Sequence, residues 1–134
     1  MMTLSVRASI GVILLSLITI GYELSYAADD RWRYFAANGA GDTLYYDTDS
    51  VTVYGNNMVK VWYKMILHKD SKSPVREGKW LNEFNCNKRE YRKIEAYYYY
   101  KDGDYKWDYE KSDWEDFEPE TWKESLFNIV CKKK

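Results

Sequence analysis

The sequence predicts an α+β fold in which about six antiparallel strands form a meander sheet and one C-terminal helix packs on it. Three observations support this prediction. Most of the chain from Arg31 onward alternates with the period of two that is typical of strands. The period changes to that of an amphipathic helix near the C-terminus. The chain also has two cysteines, Cys86 and Cys131, and an even number favours one disulfide in an exported protein.

The first 27 residues have the features of a signal peptide. Arg7 is the only charged residue among the first 22, and an uncharged apolar run follows from Ile10 to Ile20. This run has about half of the roughly 20 residues that a membrane-spanning helix needs, which favours a cleaved signal over an uncleaved anchor. We therefore expect a signal peptide at 1–27 with cleavage after Ala27, a single domain at 28–134, and no transmembrane span or lipid anchor in the mature protein.

Composition and charge limit the classes of function. The chain has 134 residues, of which 18% are aromatic and 31% are charged, and its formal net charge is -1. It is too short for two ordinary domains and too rich in aromatic residues to be disordered. The balanced charge argues against a nucleic-acid partner, because binding by bulk electrostatics requires a basic domain. A single histidine, His68, leaves little basis for a zinc site or a Ser–His–Asp centre.

The first half of the domain predicts a series of short hairpins. Strands are expected at Trp32–Ala36 and Thr43–Tyr46, joined by a glycine-containing turn at 38–42. The clearest strand runs from Met58 to His68, after a Gly-Asn-Asn hairpin turn at 55–57. Its uninterrupted apolar face consists of Val59, Val61, Tyr63, Met65 and Leu67. Such alternation is typical of an antiparallel sheet with one face on the core.

The second half predicts longer strands. Residues Asp70–Gly78 are polar and contain proline and glycine, so we expect a loop there. A long extended stretch should follow from Trp80 to Tyr100, with Cys86 inside it. The Asp102-Gly103 pair is a strong hairpin signal and should return the chain into a strand at Tyr105–Tyr109.

The C-terminal segment predicts the helix. Thr121 and Glu124 have the spacing of a capping box. The apolar residues that follow recur on one helical face and are Trp122, Leu126, Ile129 and Val130. Cys131 lies in the last turn, so a disulfide to Cys86 would fix the helix to the long strand. Closing a loop of this length is worth about 4 kcal/mol in the chain-entropy model.

Two polar motifs have possible chemical interpretations, but a structural interpretation is favoured for both. Asp47 and Asp49 have the spacing that begins a calcium loop, yet the glycine and the closing glutamate of that motif are missing. Asp and Ser at the end of a strand more often form turns. His68 has no Ser or Cys nucleophile in a recognisable motif around it. We therefore expect no catalytic residue, no metal, no cofactor and no enzyme.

The segment from Lys88 to Lys93 is basic, with one acidic residue. Interpreted as a strand, it places Lys88 and Arg92 on one face and Arg89 on the other. One hypothesis is that Lys88, Arg89 and Arg92 bind an acidic partner, such as a sulfated polysaccharide or an acidic protein surface. The alternative is that these charges protect an edge strand from aggregation or balance the acidic segment that follows them.

The segment between Asp102 and Glu120 is strongly acidic, with nine acidic residues against two lysines. Calcium buffering or attraction of a partner is one interpretation. The favoured one is a solvated hairpin and loop that keeps the protein soluble.

Aromatic residues are concentrated in the hairpin that contains Tyr97–Tyr100 and Tyr105–Tyr109. Half of them must face away from the core, because successive strand residues point in opposite directions. They either bind a sugar, a peptide or a partner subunit, or stabilise the sheet as cross-strand pairs, and both interpretations stay open. A hypothesis of a different class follows: the protein is a structural or assembly subunit of an envelope complex, joined through Tyr98 and Trp107, with monomer and homodimer both open.

Several short motifs occur along nearly the whole predicted mature chain. In order, they are Trp32-Arg33-Tyr34, Tyr45-Tyr46-Asp47, Ser50-Val51, Val59-Lys60-Val61-Trp62, Phe84-Asn85-Cys86, Arg89-Glu90-Tyr91-Arg92, Tyr100-Lys101-Asp102-Gly103, Pro119, Thr121 and Val130-Cys131. Their order and the positions of the two cysteines resemble the surface-adhesin protein E family of small exported bacterial proteins.

The resemblance implies a sheet curved like half a barrel, one helix packed on it and a disulfide that joins the two. It also implies a location in the periplasm or on the surface of a Gram-negative bacterium. The family's namesake attaches to host extracellular-matrix and serum proteins, so the resemblance implies a binding role. The first hypothesis for this chain is therefore an exported envelope binding module without catalysis, with an acidic or extracellular-matrix-type partner.

Overall fold

The computed structural model describes residues 31–132. The strands are β1 (Trp32–Ala37), β2 (Thr43–Asp47), β3 (Thr52–Tyr54), β4 (Met58–Ile66), β5 (Val75–Asn85), β6 (Glu90–Tyr100), β7 (Tyr105–Asp108) and β8 (Glu115–Asp116). The helix α1 spans Trp122–Val130, and a single 3₁₀ turn spans Thr48–Ser50. The predicted signal peptide at 1–27 lies outside the described residues.

All of these strands pair antiparallel in one open sheet with the order β1-β2-β4-β5-β6-β7. Two short strands lie off this path, β3 beside β4 and β8 beside β6. The predicted antiparallel meander is confirmed, since the main path has six strands. The two additional strands have three and two residues, too few for an alternation to be visible in the sequence.

The hydrophobic core lies between α1 and one face of the sheet, which we call the helix face. Val59, Val61 and Tyr63 of β4 are buried there, as their alternation predicts. The buried residues that form the core cluster are Leu44, Tyr46, Val61, Tyr63, Phe84, Tyr91, Leu126 and Phe127. Trp122 connects the helix to this cluster, because its ring centroid lies 5.2 Å from that of Tyr63. Burial raises the pKa of the Tyr63 hydroxyl far above its usual value, so the phenol is neutral.

The disulfide between Cys86 and Cys131 joins the turn after β5 to the C-terminal end of α1, with the two Cα atoms 5.5 Å apart. This confirms the predicted cross-link. The backbone N–H of Cys131 also donates to the carbonyl oxygen of Phe127 at 2.8 Å, which ends the helix. The end of the helix is thus held both covalently and by its own hydrogen bond.

The extended stretch predicted from Trp80 to Tyr100 is in fact two strands, β5 and β6, separated by a turn. The side-chain oxygen of Asn85 accepts hydrogen bonds from the backbone N–H groups of Asn87 and Lys88, both at 3.1 Å. Arg89 completes the turn in the left-handed conformation, with φ 55°. The turn is built by an asparagine and lacks glycine and proline, so the sequence gives only a weak signal for it.

The loop predicted at Asp70–Gly78 is shorter than expected, because β5 begins at Val75. Gly78 lies inside that strand. A Cβ atom at this position would overlap the ring of Trp80, which stacks on Tyr63 with centroids 5.2 Å apart. The glycine therefore marks a close approach of a ring to the backbone and does not break the strand.

The helix begins where the sequence predicts, with Thr121 at the N-cap position, but the predicted capping box does not form. The Thr121 hydroxyl donates to the carbonyl oxygen of Glu118 at 2.9 Å. The Glu124 carboxylate lies 3.6 Å from the guanidinium of Arg89. The Thr121 hydroxyl is thus used in a local turn and the Glu124 carboxylate in a tertiary ion pair, so neither caps the helix.

Candidate functional site

The face of the sheet opposite α1, which we call the outer face, carries six side chains that are in register from strand to strand. We call them the outer row: Tyr34, Tyr45, Lys64, Lys79, Tyr97 and Trp107. Each member lies directly opposite the next, and each comes from a different one of the six main strands. At the usual strand spacing of about 4.8 Å, the row crosses roughly 24 Å of sheet.

The alternation of strand residues places the row on the outer face. Tyr63 is buried against the helix, so Lys64, the next residue, projects to the other side. Leu44 and Tyr46 are likewise buried in the core, whereas Tyr45 between them is half-buried on the outer face.

Two lysines form the centre of the outer row. Lys64 and Lys79 are direct cross-strand neighbours, an arrangement that is destabilising for like charges. The ring of Trp32 lies beside both, with its centroid 4.5 Å from the Lys64 Nζ and 5.6 Å from the Lys79 Nζ. The Lys64 Nζ also lies 5.6 Å from the Tyr45 ring, and the Lys79 Nζ lies 5.4 Å from the Tyr99 ring. Each ammonium group therefore faces two electron-rich rings, which attract cations.

The positive charge of the two lysines is only partly compensated. The Glu77 carboxylate lies 4.0 Å from the Lys64 Nζ, and both side chains are about four-fifths buried, at 21% and 18% exposure. Among the residues that the structure describes, Lys79 has no carboxylate within ion-pair distance. Two ammonium groups and one carboxylate leave a net positive charge at the middle of the row.

The β6–β7 end of the row is a cluster of rings. Tyr97 stacks on Tyr99, with centroids 5.5 Å apart, and Trp107 meets Tyr97 edge-on. Tyr109, which is 71% exposed, stacks on Trp107 at 4.9 Å. Desolvation, together with the neighbouring tyrosine hydroxyls and Glu95, raises the pKa of Tyr97 above its usual value.

The basic residues predicted to bind an acidic partner do not form one patch. Lys88 and Arg89 lie in the β5–β6 turn and Arg92 lies in β6, so the interpretation of the whole segment as a strand is wrong. Lys88 is exposed. The Arg89 guanidinium contacts the helix, at 3.6 Å from Glu124 and 4.8 Å from the centroid of the Phe127 ring.

Arg92 has a structural environment. Its guanidinium lies 2.6 Å from the carboxylate of Glu83, which is only 4% exposed, and 4.5 Å from the centroid of the Trp114 ring. The Lys60 ammonium lies farther from the same carboxylate, at 4.0 Å. Since a buried carboxylate without a partner is costly, Arg92 stabilises the fold at this position.

Tyr98 and Trp107, the two candidate contact residues of the aromatic hairpin, lie on opposite faces of it. Tyr98 projects to the helix face, where its ring meets Trp80 edge-on at 5.8 Å. Trp107 projects to the outer face, and its direct neighbour there is Tyr97. Tyr98 and Trp107 thus lie on different faces of the hairpin, and the outer-face neighbour of Trp107 is Tyr97.

The Asp47 motif forms a hydrogen-bonded turn at the end of β2. Its carboxylate accepts the backbone N–H of Asp49 at 3.0 Å and pairs with the guanidinium of Arg31. The Ser50 hydroxyl donates to the Asp47 carbonyl oxygen at 2.9 Å and accepts the backbone N–H of Trp62, also at 2.9 Å. These bonds are the turn contacts that the sequence favoured over a calcium loop.

His68 is held by the turn after β1. Its ring Nδ1 lies 2.6 Å from the carboxylate of Asp42, which also accepts the backbone N–H of His68 at 2.8 Å. A hydrogen bond from the side-chain amide of Asn38, at 2.8 Å, is the main cause that lowers the pKa of Asp42. The histidine therefore fixes two loops together.

An open cleft of about 620 Å³ lies between the start of α1 and the turn after β1. The carboxylates along it are Glu115, Asp116, Glu118 and Glu120. Within residues 31–132, no three metal-ligating side chains converge on one point. None of the helices in that range is long and apolar enough to span a membrane.

The fold of this chain is similar to that of Haemophilus influenzae protein E. One of its structures, crystal form II, superposes with a TM-score of 0.57 at 15% identity and covers 78% of this chain and 89% of that one. A second structure of protein E superposes with a TM-score of 0.56 at 15% identity, with 78% and 86% covered. Likeness at this level defines the fold class.

The sequence itself identifies the family. Residues 32–132 match the family model described as surface-adhesin protein E, so the chain belongs to the surface-adhesin protein E family. No curated protein sequence matches the chain significantly. The expected family is thereby confirmed, and with it a relationship to surface-adhesin proteins.

Proposed function

We propose that the protein is a non-catalytic binding module of the Gram-negative cell envelope, and that it holds an extended partner across the outer row. The observation that supports this proposal most strongly is the register of the row, in which six strands each contribute one side chain to a continuous line. Membership of a surface-adhesin family supports a binding role in the envelope, whether in the periplasm or at the cell surface.

The composition of the row suits recognition. Tyrosine and tryptophan bury a large rigid area on contact and also offer a polar group, and both are enriched at binding surfaces. Tyr34 at one end of the row is 55% exposed, and Tyr109 beyond the other end is 71% exposed. The core that stabilises the domain lies on the helix face, so these rings are available to a partner without any rearrangement of the fold.

This proposal does not use Lys88, Arg89 or Arg92 as a binding residue. Arg92 compensates a buried carboxylate and Arg89 contacts the helix, so the two have structural tasks. The proposal also has no catalytic residue. His68, the single histidine of the chain, contacts Asp42 and fixes two loops, which supports a role in stability.

Photo-cross-linking in living cells tests the proposed surface. A benzophenone amino acid, which inserts into C–H bonds of proteins and sugars alike, would replace Tyr34, Tyr45 or Trp107 in the exported full-length protein. The matched control carries it at Lys88, which is exposed in the β5–β6 turn and outside the row. We expect the same adduct from all three row positions and none from the control.

Two outcomes would contradict the proposal. One is an adduct that forms equally from Lys88 and from the row, which indicates unspecific encounter. The other is the absence of any adduct from the row under conditions in which the protein is exported and folded, as shown by an intact disulfide in a mobility assay without reductant.

A further inference from the structure

We infer that the centre of the outer row is an anion-binding subsite and that the extended partner is an acidic polysaccharide. A carboxylate or sulfate group of the glycan would bind between Lys64 and Lys79, beside Trp32. This inference rests on the proposed function of the outer row as the binding surface, and it specifies the chemistry of the partner.

The positions of the two lysines lower the stability of the protein when no ligand is bound. They are direct cross-strand neighbours, and like charges at such a pair destabilise a sheet. Glu77 approaches only Lys64, and the aromatic rings that face the two ammonium groups carry no net charge. An anion between the two ammonium groups would replace their repulsion with two charge-assisted hydrogen bonds. The centre of the row is therefore complementary to a negative group.

The direction of the row favours a glycan over an extended peptide as the partner. An extended peptide that pairs with a sheet lies along an edge strand and uses backbone hydrogen bonds. The outer row instead runs across the strands, with one side chain every 4.8 Å or so, whereas same-face side chains of an extended peptide repeat at about 6.6 Å. A pyranose chain has a repeat close to the strand spacing, so successive sugars match successive members of the row.

The side chains at both ends of the row also match a sugar chain. Tyr34 stands beside Tyr45 with ring centroids 5.8 Å apart, and Trp107 stands beside Tyr109 at 4.9 Å. Aromatic rings bind the apolar C–H faces of sugars, while phenol hydroxyls bind sugar hydroxyls. The Tyr97 hydroxyl can also donate to a sugar hydroxyl in this stretch.

The binding of dextran sulfate and of neutral dextran to the purified protein tests the inference, because the two polymers share a backbone and differ in charge. We expect saturable binding of dextran sulfate and no binding of dextran. Lys64→Gln and Lys79→Gln should each weaken binding of dextran sulfate about tenfold, since each removes one charge-assisted hydrogen bond. Lys88→Gln, which removes the same charge outside the row, should change the affinity less than twofold.

Trp32→Leu and a polyglutamate probe complete the test. Trp32→Leu keeps both lysines and should weaken binding of dextran sulfate severalfold, and polyglutamate should bind more weakly than dextran sulfate of equal charge. The inference would be overturned if the Lys64→Gln and Lys88→Gln variants bound dextran sulfate with equal affinity. Tighter binding of polyglutamate than of dextran sulfate would also overturn it, because that result indicates that the partner is an acidic protein. If photo-cross-links form at the row while dextran sulfate does not bind, the inference fails and the proposed function stands.

Discussion

Replacement of Lys64 and Lys79 by glutamine, singly and together, should show that the two ammonium groups repel each other in the folded protein. They lie directly opposite on β4 and β5, and like charges in that arrangement cost about 0.2–1 kcal/mol. Either single replacement removes the whole repulsion, and the double replacement cannot remove it twice. The effects should therefore be non-additive by about 0.5 kcal/mol, in the sense of a repulsive pair.

The single replacements alone would not reveal this repulsion. Lys79 loses contacts with two rings, each worth about 0.5–1 kcal/mol at an exposed site, and these losses offset the relief of repulsion. Lys64 loses its ring contacts and the ion pair with Glu77, in which both side chains are mostly buried. Each single variant therefore combines losses and relief in unequal amounts, and only the double-mutant cycle isolates the pair.

Urea unfolding of all four proteins, monitored by tryptophan fluorescence, measures the coupling. It should be largest at about 0.01 M salt and close to zero at about 1 M salt, because the Debye length falls from roughly 30 Å to roughly 3 Å. A second cycle between Lys79 and Lys88, which lies in the turn at the far end of β5, should give no coupling at either salt concentration. Zero or attractive coupling between Lys64 and Lys79 at low salt would refute the reasoning.

Three further substitutions should lower stability for different reasons. Arg92→Ala removes the nearest partner of the buried carboxylate of Glu83 and should lower the free energy of unfolding by about 3 kcal/mol in urea; a loss under 1 kcal/mol would contradict a structural role. Gly78→Ala drives a Cβ atom into the ring of Trp80 and should cost about 1–3 kcal/mol, with a changed near-ultraviolet circular dichroism spectrum that an unperturbed ring would not give. Asp42 has a lowered pKa, so the native state favours its ionised form, and the stability it contributes is lost as the pH falls below its ordinary pKa of 3.8. Asp42→Asn should therefore be less stable than the original at pH 7, and the difference in denaturation midpoint should shrink below about pH 4.

The elements that the sequence predicts well are those whose signal is local. The alternation from Val59 to Met65 identifies the face of β4 that meets the core, and the spacing of Trp122 and Leu126 identifies the buried side of α1. The capping box fails for a reason that is not local. Glu124 pairs with Arg89 across the fold, and a tertiary ion pair of that kind leaves no mark in the spacing of residues along the chain.

The outer row could not be predicted, because alternation tells which face a residue is on and does not tell which residue lies opposite it. Lys64 and Lys79 become neighbours only through the pairing register of β4 and β5. An irregularity between Tyr34 and Ala36 shifts the register of β1. Another shift, at the partners of Leu81 and Asn82 in β6, places Tyr97 opposite Lys79; the register at the β5–β6 turn, continued without the shift, would place Ala96 there. Local periodicity contains none of these shifts.

The separation of the core from the outer row has a consequence for how such proteins diverge. The interior contacts lie on the helix face, whereas the members of the outer row project to the opposite side. Under the proposed function, substitutions in the outer row would change the ligand, while the core contacts on the helix face would stay the same.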